Sequence, residues 1–299
     1  MNLDTYQAIS ADQPVCFLMA PQSLWRFSGP DAERYLNGQI TNDLTKLAEG
    51  HAFRAAVCTA KGRMEGDISI ARHEGAFYID ADISLRESLG ARLDKFLIAD
   101  DAILEDITEE WSLVHYFCDV PPKELAGGFA ISHARFGYDG CDFWKPGTIE
   151  NTQIKHEKIA NADVIETLRL ENGIPRWGAE LTANTLPPEA GPHMLAAISY
   201  TKGCYVGQET IARLKSVGHV NKTLVFLRSA TAQFPPVGAK LVLDGHEVGA
   251  VTSSGFSPRL KKGIALAYVQ RQHASDGAVL TTEGHVLTVA PSLMPGEKS

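Results

Sequence analysis

Apolar runs of strand length alternate along this chain with Gly-, Pro- and Asp-rich breaks, and helix-length periodic stretches are set between them. Residues 53–59 are apolar, Lys61-Gly62-Arg63 reads as a turn, 67–71 alternate, and Glu74-Gly75 turns again before Phe77-Tyr78-Ile79. Ser84-Leu85-Arg86-Glu87 has the form of a capping box. Leu85, Leu89, Leu93, Phe96 and Leu97 follow it as a single apolar helical stripe. Short strands are expected again near 102–107 and 111–117. Strands, a helix, then strands predict a compact α+β unit over about 50–120. Upstream, Ser28-Gly29-Pro30-Asp31 ahead of Ala32-Glu33-Arg34-Tyr35-Leu36 reads as a capped helix start that fades near Asn37-Gly38. Downstream, 163–172 read as a helix with Val164, Ile165 and Leu168 on its apolar face, stopped by Asn172-Gly173 and then Pro175. Residues 176–195 read as a long ordered loop. After Val220, strand signals at 224–227, 240–243, 247–251, 264–268 and 285–289 are punctuated by Pro235-Pro236, Asp244-Gly245, Ser257-Pro258 and Asp276-Gly277. They predict a small closed or sandwiched β-domain over 221–299.

Composition narrows the classes. A chain of 299 residues makes one large domain or two to three small ones. A formal net charge of −8 excludes a broad basic coat for nucleic acid, although Lys202, Arg213, Lys215 and Lys222 cluster in sequence, as do Arg259, Lys261 and Lys262. The five cysteines, Cys16, Cys58, Cys118, Cys141 and Cys204, are scattered without a CxxC pair. That excludes a zinc knuckle or a thioredoxin-type pair and favours a reducing compartment. The N-terminus has no signal-peptide pattern, and no apolar run reaches the roughly 18 residues of a membrane span. A cytoplasmic protein with no membrane attachment is expected. GxGxxG, P-loop, GxSxG and HExxH patterns are all absent.

The densest chemistry lies in Lys202-Gly203-Cys204-Tyr205-Val206-Gly207-Gln208-Glu209, followed by the helix-like run Thr210-Ile211-Ala212-Arg213-Leu214-Lys215. A thiol between glycines at a loop-to-helix junction sits among free backbone N–H groups, with Lys202 nearby to favour the thiolate. Three roles stay open for Cys204: an activated nucleophile or redox thiol, a single thiolate lent to an iron–sulfur cluster, or a buried small hydrophobe. Gly203 and Gly207 allow close approach or positive φ. Tyr205 either stacks on a flat ligand or packs. Gln208 and Glu209 either orient the loop through backbone N–H groups or sit on a solvated helix face.

This motif closely resembles the signature of the YgfZ family of folate-binding proteins, whose mitochondrial relatives assist iron–sulfur cluster assembly. Tyr35-Leu36-Asn37-Gly38-Gln39-Ile40-Thr41-Asn42-Asp43 and Ala60-Lys61-Gly62-Arg63-Met64 resemble that family's N-terminal helix with its loop and its first hairpin turn. Leu168-Arg169-Leu170-Glu171-Asn172-Gly173-Ile174-Pro175 and Val251-Thr252-Ser253-Ser254-Gly255-Phe256-Ser257-Pro258 are similar to segments shared with the glycine-cleavage T-protein, an aminomethyltransferase. The resemblance implies a multidomain α+β cloverleaf around a central folate-sized channel. It implies a discontinuous folate-binding domain over 1–50 and 121–220, a ferredoxin-like unit inserted at 51–120, and a C-terminal β-barrel over 221–299. It further implies tetrahydrofolate or a derivative as cofactor. Glu171 would bind the pterin edge through a bidentate carboxylate, with Arg169 and Tyr205 also at the cofactor, whereas the residue type alone favours a solvated helix-end glutamate, the fate of most glutamates. The T-protein carries an Asp-Asp pair after its first hairpin turn, one carboxylate of which is essential for moving the one-carbon unit. Gly66 here replaces one member and Asp67 retains the other.

Three functions compete. The first is a tetrahydrofolate-binding accessory factor acting through Cys204 and Lys202, with iron–sulfur enzymes or assembly proteins as partners and an indirect link to tRNA through tRNA-thiolating enzymes. The second is a folate-dependent aminomethyltransferase relying on Asp67. The third is an RNA- or protein-binding module regulated by folate.

Overall fold

The computed structural model describes residues 2–11, 13–19, 21–118, 127–149, 158–216 and 218–292. The chain begins with α1 (Leu3–Ser10) and β1 (Val15–Leu18). It then enters an antiparallel sheet of β2 (Gln22–Ser28), β3 (Ala52–Cys58), β4 (Met64–His73), β5 (Ala76–Asp82) and β6 (Ile103–Asp106), in the order β3-β4-β5-β2-β6. Two helices, α2 (Ala32–Gln39) after β2 and α3 (Arg86–Asp94) after β5, cover one face of this sheet.

Strand alternation decides what each face carries. Ala55, Val57, Ile68, Ile70 and Ile79 pack with Leu36 of α2 and Leu89 and Leu93 of α3. The opposite face presents Arg54 and Ala56 on β3, Asp67 and Ser69 on β4, and Asp80 on β5, with Ala56 opposite Asp67, Arg54 opposite Ser69, and Ser69 opposite Asp80. Gly66 belongs to the helix-covered face: a Cβ there would stand 3.0 Å from the Leu89 methyl groups. The place where the T-protein pattern has a second carboxylate therefore faces a packed helix, while Asp67 faces the other way.

A second sheet, in the order β10-β1-β7-β9-β8, is assembled from β1, β7 (Trp111–Tyr116), β8 (Phe129–Ser132), β9 (Cys141–Pro146) and β10 (Lys158–Ile159). Its core is closed by α1 and α4 (Ala162–Glu171) through Tyr6, Ile9, Val164, Ile165 and Leu168. The unit expected over 51–120 thus has different limits. Its sheet starts with β2 and ends with β6, and β7 pairs with β1 and β9 instead. The reason is that β2 joins this sheet by pairing with β5, from Gln22 opposite Asp82 to Phe27 opposite Phe77, a contact too distant in sequence for any local pattern to mark.

After α4 come α5 (Gly191–Ala196) and α6 (Gln208–Ser216), and then a closed barrel of β11 (Lys222–Ser229), β12 (Lys240–Leu243), β13 (His246–Ser257), β14 (Lys262–Gln270), β15 (Val279–Thr282) and β16 (His285–Ala290). The expected C-terminal β-domain is this barrel, filled by Leu227, Leu241, Val251, Ala267, Leu280 and Leu287. Local details differ. Ser28 ends β2 and caps no helix, and the Asp31 carboxylate instead accepts from the Asp101 N–H at 2.8 Å. The Ser84 capping box does not form: Asp82 caps a short 3-10 turn that leads into α3.

Candidate functional site

A cavity of about 480 Å³ opens where the polar face of the first sheet meets the second sheet, α4 and the loop after it. Arg54, Asp67, Ser69 and Asp80 form its floor; Phe17, Phe136 and Trp177 give it flat apolar walls; Glu166, Arg169, His133 and His193 add polar edges. A volume in the range of small-molecule sites, with aromatic walls and a few fixed polar groups, suits a flat heterocyclic ligand.

The charges around it are mostly spent on one another. Arg54 grips Asp67 through two bonds of 2.7 Å and donates a third to the Pro175 carbonyl at 2.6 Å. Asp67 is therefore at the cavity, as an already neutralised carboxylate. Arg169 donates to Glu166 from Nε (2.9 Å) and Nη2 (2.5 Å), to Ile174 O and Glu180 from Nη1, and to Ser253 Oγ from Nη2. Those five bonds use all five guanidinium donors. Arg169 is a joint that ties α4 to the 174–180 loop and to β13, so it has no donor left for a cofactor, contrary to the role the resemblance implied.

Glu171 also lies elsewhere. Its carboxylate is fully buried, accepts from Tyr6 Oη at 2.8 and 3.0 Å and from Ser257 Oγ, and is not part of the cavity wall. Burial pushes the Glu171 carboxyl up from its ordinary value, with the Ser257 and Tyr6 hydroxyls opposing. The helical period explains the outcome: Glu166 and Arg169 lie on the cavity side of α4, and Glu171, two positions past Arg169, turns to the α1–barrel side. The carboxylate that α4 offers to the cavity is Glu166.

Arg135, itself a lining residue of the cavity, joins the two sheets. It donates to Asp80 on β5 (2.5 and 3.0 Å) and to Asp142 on β9 (2.7–2.9 Å). Asp142 also accepts from His115 Nδ1 at 2.9 Å and from His133 Nδ1 at 2.7 Å. Asp80, Asp142 and His115 are all buried. His193 bonds the Asn172 carbonyl through Nε2 at 2.8 Å, which places the proton on that nitrogen. Burial pushes the His193 imidazole down and keeps it neutral.

The cysteine motif occupies a separate site on the same sheet. Cys204 is exposed on the loop that enters α6, four positions before the helix begins. Lys202 and Tyr205 on either side of it are not. Lys202 is buried, and its ammonium donates to the carbonyls of Asn37 (2.5 Å), Ile40 (3.0 Å) and Asn42 (2.6 Å) at the C-terminal end of α2. Three ammonium protons meet three acceptors at the negative end of a helix. Lys202 thus anchors the loop and is not a partner for the thiol. Burial pushes its ammonium down to about 8, with Asp43 opposing. Tyr205 is buried among Ala56, Cys58, Met64 and Ile211, under the Lys202 ammonium at 5.2 Å, so it packs and presents no face to a ligand.

Gly207 has φ +90°, and a Cβ there would stand 2.6 Å from the Thr59 carbonyl oxygen, so the β3–β4 turn forbids a side chain. Around Gly203, by contrast, nothing lies within 4 Å of an added Cβ. Gln208 Nε2 donates weakly to the Lys202 and Gly203 carbonyls, at 3.5 and 3.4 Å, rather than accepting from N–H groups. Glu209 is exposed on α6. Among the described residues, no group of three or more His, Cys, Asp or Glu is gathered to hold a metal ion.

The structure thus brings Asp67 and Arg169 to the cavity, and Lys202, Gly203, Cys204, Tyr205, Gly207 and Gln208 to the loop; Glu171 lies at neither. Sequence reasoning passed over Arg54, Glu166, His133 and Arg135. The charge of Arg54 inside an otherwise apolar strand was the available signal for the first of these. The histidines and Arg135 carried no spacing that marked them.

Residues 222–291 match the glycine cleavage T-protein C-terminal barrel domain. The chain is 30% identical to an aminomethyltransferase of Rubrobacter xylanophilus over 86% of its own length and 76% of the relative. The chain belongs to the glycine-cleavage T-protein superfamily. Within this superfamily it is also 28% identical to the tRNA-modifying protein YgfZ of Cronobacter sakazakii, over 80% of the chain and 79% of the relative. The fold is that of the glycine cleavage system aminomethyltransferase T of Bartonella henselae, with a TM-score of 0.84 at 19% identity over 98% of this chain and 91% of that one. No described helix of this superfamily member is long and apolar enough to cross a membrane.

Proposed function

We propose that this protein binds a reduced folate in the cavity and serves, through Cys204, as an accessory factor for the assembly or repair of iron–sulfur enzymes, tRNA-thiolating enzymes among them. Superfamily membership supports the folate. The fit of the cavity supports it too: aromatic walls suit a pteridine, and Asp67 and Glu166 are the carboxylates placed to accept from its amino-pyrimidine edge. One observation carries the choice of accessory factor. The thiol is the single exposed reactive group of a loop whose other parts are locked down, by Lys202 on three carbonyls and Gly207 under the Thr59 carbonyl. Such a loop holds out one sulfur for a partner rather than for a buried ligand. In cells, Cys204→Ala is expected to fold normally and to lose support of iron–sulfur enzymes under oxidative stress; full enzyme activity in that variant refutes the reading.

Asp67 favours a second reading, folate-dependent aminomethyl transfer, because the carboxylate that the superfamily pattern retains here is the one on the cavity side. This reading requires Asp67 to act while held by Arg54. It predicts transfer of a one-carbon unit to tetrahydrofolate that Asp67→Asn abolishes.

A further inference from the structure

The buried cluster behind the cavity is out of electrical balance. Asp80 and Asp142 bring two carboxylates and Arg135 one guanidinium, and all three are linked by bonds of 3.0 Å or less. Two imidazoles complete the cluster, each bonded through Nδ1 to Asp142. A carboxylate partner fixes the proton on Nδ1 in the neutral tautomer of both rings and leaves Nε2 as the nitrogen that can gain a proton. The two rings differ in where Nε2 sits. His115 is fully buried, its Nε2 has no partner among the described residues, and a Cβ on Gly140 would stand 3.1 Å from that atom. Its walls are the rings of Phe117 and Phe136. A proton there would be a buried charge with nothing to accept from it. Burial accordingly pushes the His115 imidazole down and keeps it neutral. His133 instead lines the cavity.

We propose that His133, held by Asp142, is the proton-exchanging group of the cavity: its Nε2 takes up a proton when the reduced folate binds and donates it, as a charge-assisted hydrogen bond, to an oxo or ring-nitrogen acceptor of the pteridine. This rests on the folate reading given above. No covalent bond changes: the proton comes from solvent, is shared between His133 Nε2 and the ligand's lone pair, and returns on release. The added charge offsets the excess carboxylate of the cluster. The charged and titratable groups packed about His133 are Asp142 from β9, His115 from β7, Asp80 from β5 and Arg135 from its own loop. Asp142 acts here as a positioning residue. Asp80 is the rival holder of the proton, because burial favours its neutral form. It bonds Arg135, which also holds Asp142, and Asp80→Asn separates the two candidates.

The test is calorimetric titration with tetrahydrofolate at pH 7.5 in buffers of different ionisation enthalpy, alongside nitrogen NMR of the imidazole rings. The wild-type protein is expected to take up a fraction of a proton on binding, with the His133 Nε2 resonance moving toward the protonated position. In His133→Gln the uptake should vanish and binding weaken roughly tenfold to a hundredfold, the loss of one hydrogen bond to a charged group. In Asp80→Asn the uptake should remain. Binding with unchanged uptake in His133→Gln, or uptake lost only in Asp80→Asn, overturns the role of His133 while leaving the folate reading intact. A wild-type protein that shows no saturable binding overturns both. A His133→Gln chain that fails to fold leaves the wild-type resonance as the deciding readout: if it stays still while folate binds, the proposal is wrong.

Discussion

Arg135 and Lys202 are both buried cations, one under the cavity and one under the cysteine loop, but their partners differ in kind. Arg135 bridges two carboxylates on different sheets. Lys202 holds three backbone carbonyls at the end of a single helix. The first arrangement fixes the angle between two halves of the molecule and leaves the cavity wall charged. The second fixes a loop and leaves the thiol beside it uncommitted. The cavity is thus a place where charges hold one another, whereas the loop is a place where Lys202, Tyr205 and Gly207 are held and Cys204 is not. A residue drawn from a binding motif can be a joint, as Arg169 is, and a residue next to a reactive group can be its mount, as Lys202 is.

The largest effect should come from breaking the first arrangement. Arg135→Met strands two buried carboxylates and is expected to cost about 3–5 kcal/mol, read from urea denaturation midpoints. Lys202→Met leaves carbonyls at the α2 terminus without a donor and should cost about 1–3 kcal/mol, with faster alkylation of Cys58 and Cys204 as the loop loosens. If Lys202→Met proves as costly as Arg135→Met, the distinction between carboxylate and carbonyl partners is wrong.

Acid and base should separate the two cations as well. Burial pushes Asp142 up, but Arg135 and His133 outweigh it and hold the carboxyl well below the usual carboxylate range. A depressed acid contributes stability above its unfolded value and loses it as pH falls through the folded one, so the cavity side weakens below about pH 4. Lys202 gives a slope of the same sign in a different window. Its folded value of about 8 lies under the ordinary lysine value. Between about 8 and 10.4 the unfolded chain binds more protons, so the wild type should gain stability on Lys202→Met as pH rises through that window. Paired melts across pH 7–10 give the sign. The smallest contrast is between the loop glycines. Gly207→Ala meets the Thr59 carbonyl at positive φ and should cost about 1–3 kcal/mol, whereas Gly203→Ala should change stability by less than about 0.5 kcal/mol. Any loss of cellular function in Gly203→Ala then reports a partner that approaches the chain beside Cys204.

The same contrast describes what could be read from residue order. The barrel strands and α4 with its Asn172-Gly173 stop were legible because turn residues punctuate them locally, and Gly173 adopts φ +67° where that stop places it. β15 escaped because it is only four residues long, with two apolar residues, Val279 and Leu280, followed by two threonines. The exposure of Cys204 was consistent with its glycine neighbours. The cavity was not legible, since its polar floor depends on β3, β4 and β5 lying in register and on Arg135 reaching across to Asp80, contacts 55 positions apart in sequence. The orientation of Glu171 was decided by Tyr6 and Ser257, which are 165 and 86 positions away.

A tetrahydrofolate titration followed by the fluorescence of Trp177 on the cavity wall bears most directly on the account, run on the wild type, Cys204→Ala and Arg54→Met. Saturable binding is expected in the wild type and undiminished in Cys204→Ala, and at least tenfold weaker in Arg54→Met, where Asp67 loses its partner. A wild-type protein with no saturable response, or one whose binding depends on Cys204 and ignores Arg54, contradicts the separation of the folate cavity from the thiol loop.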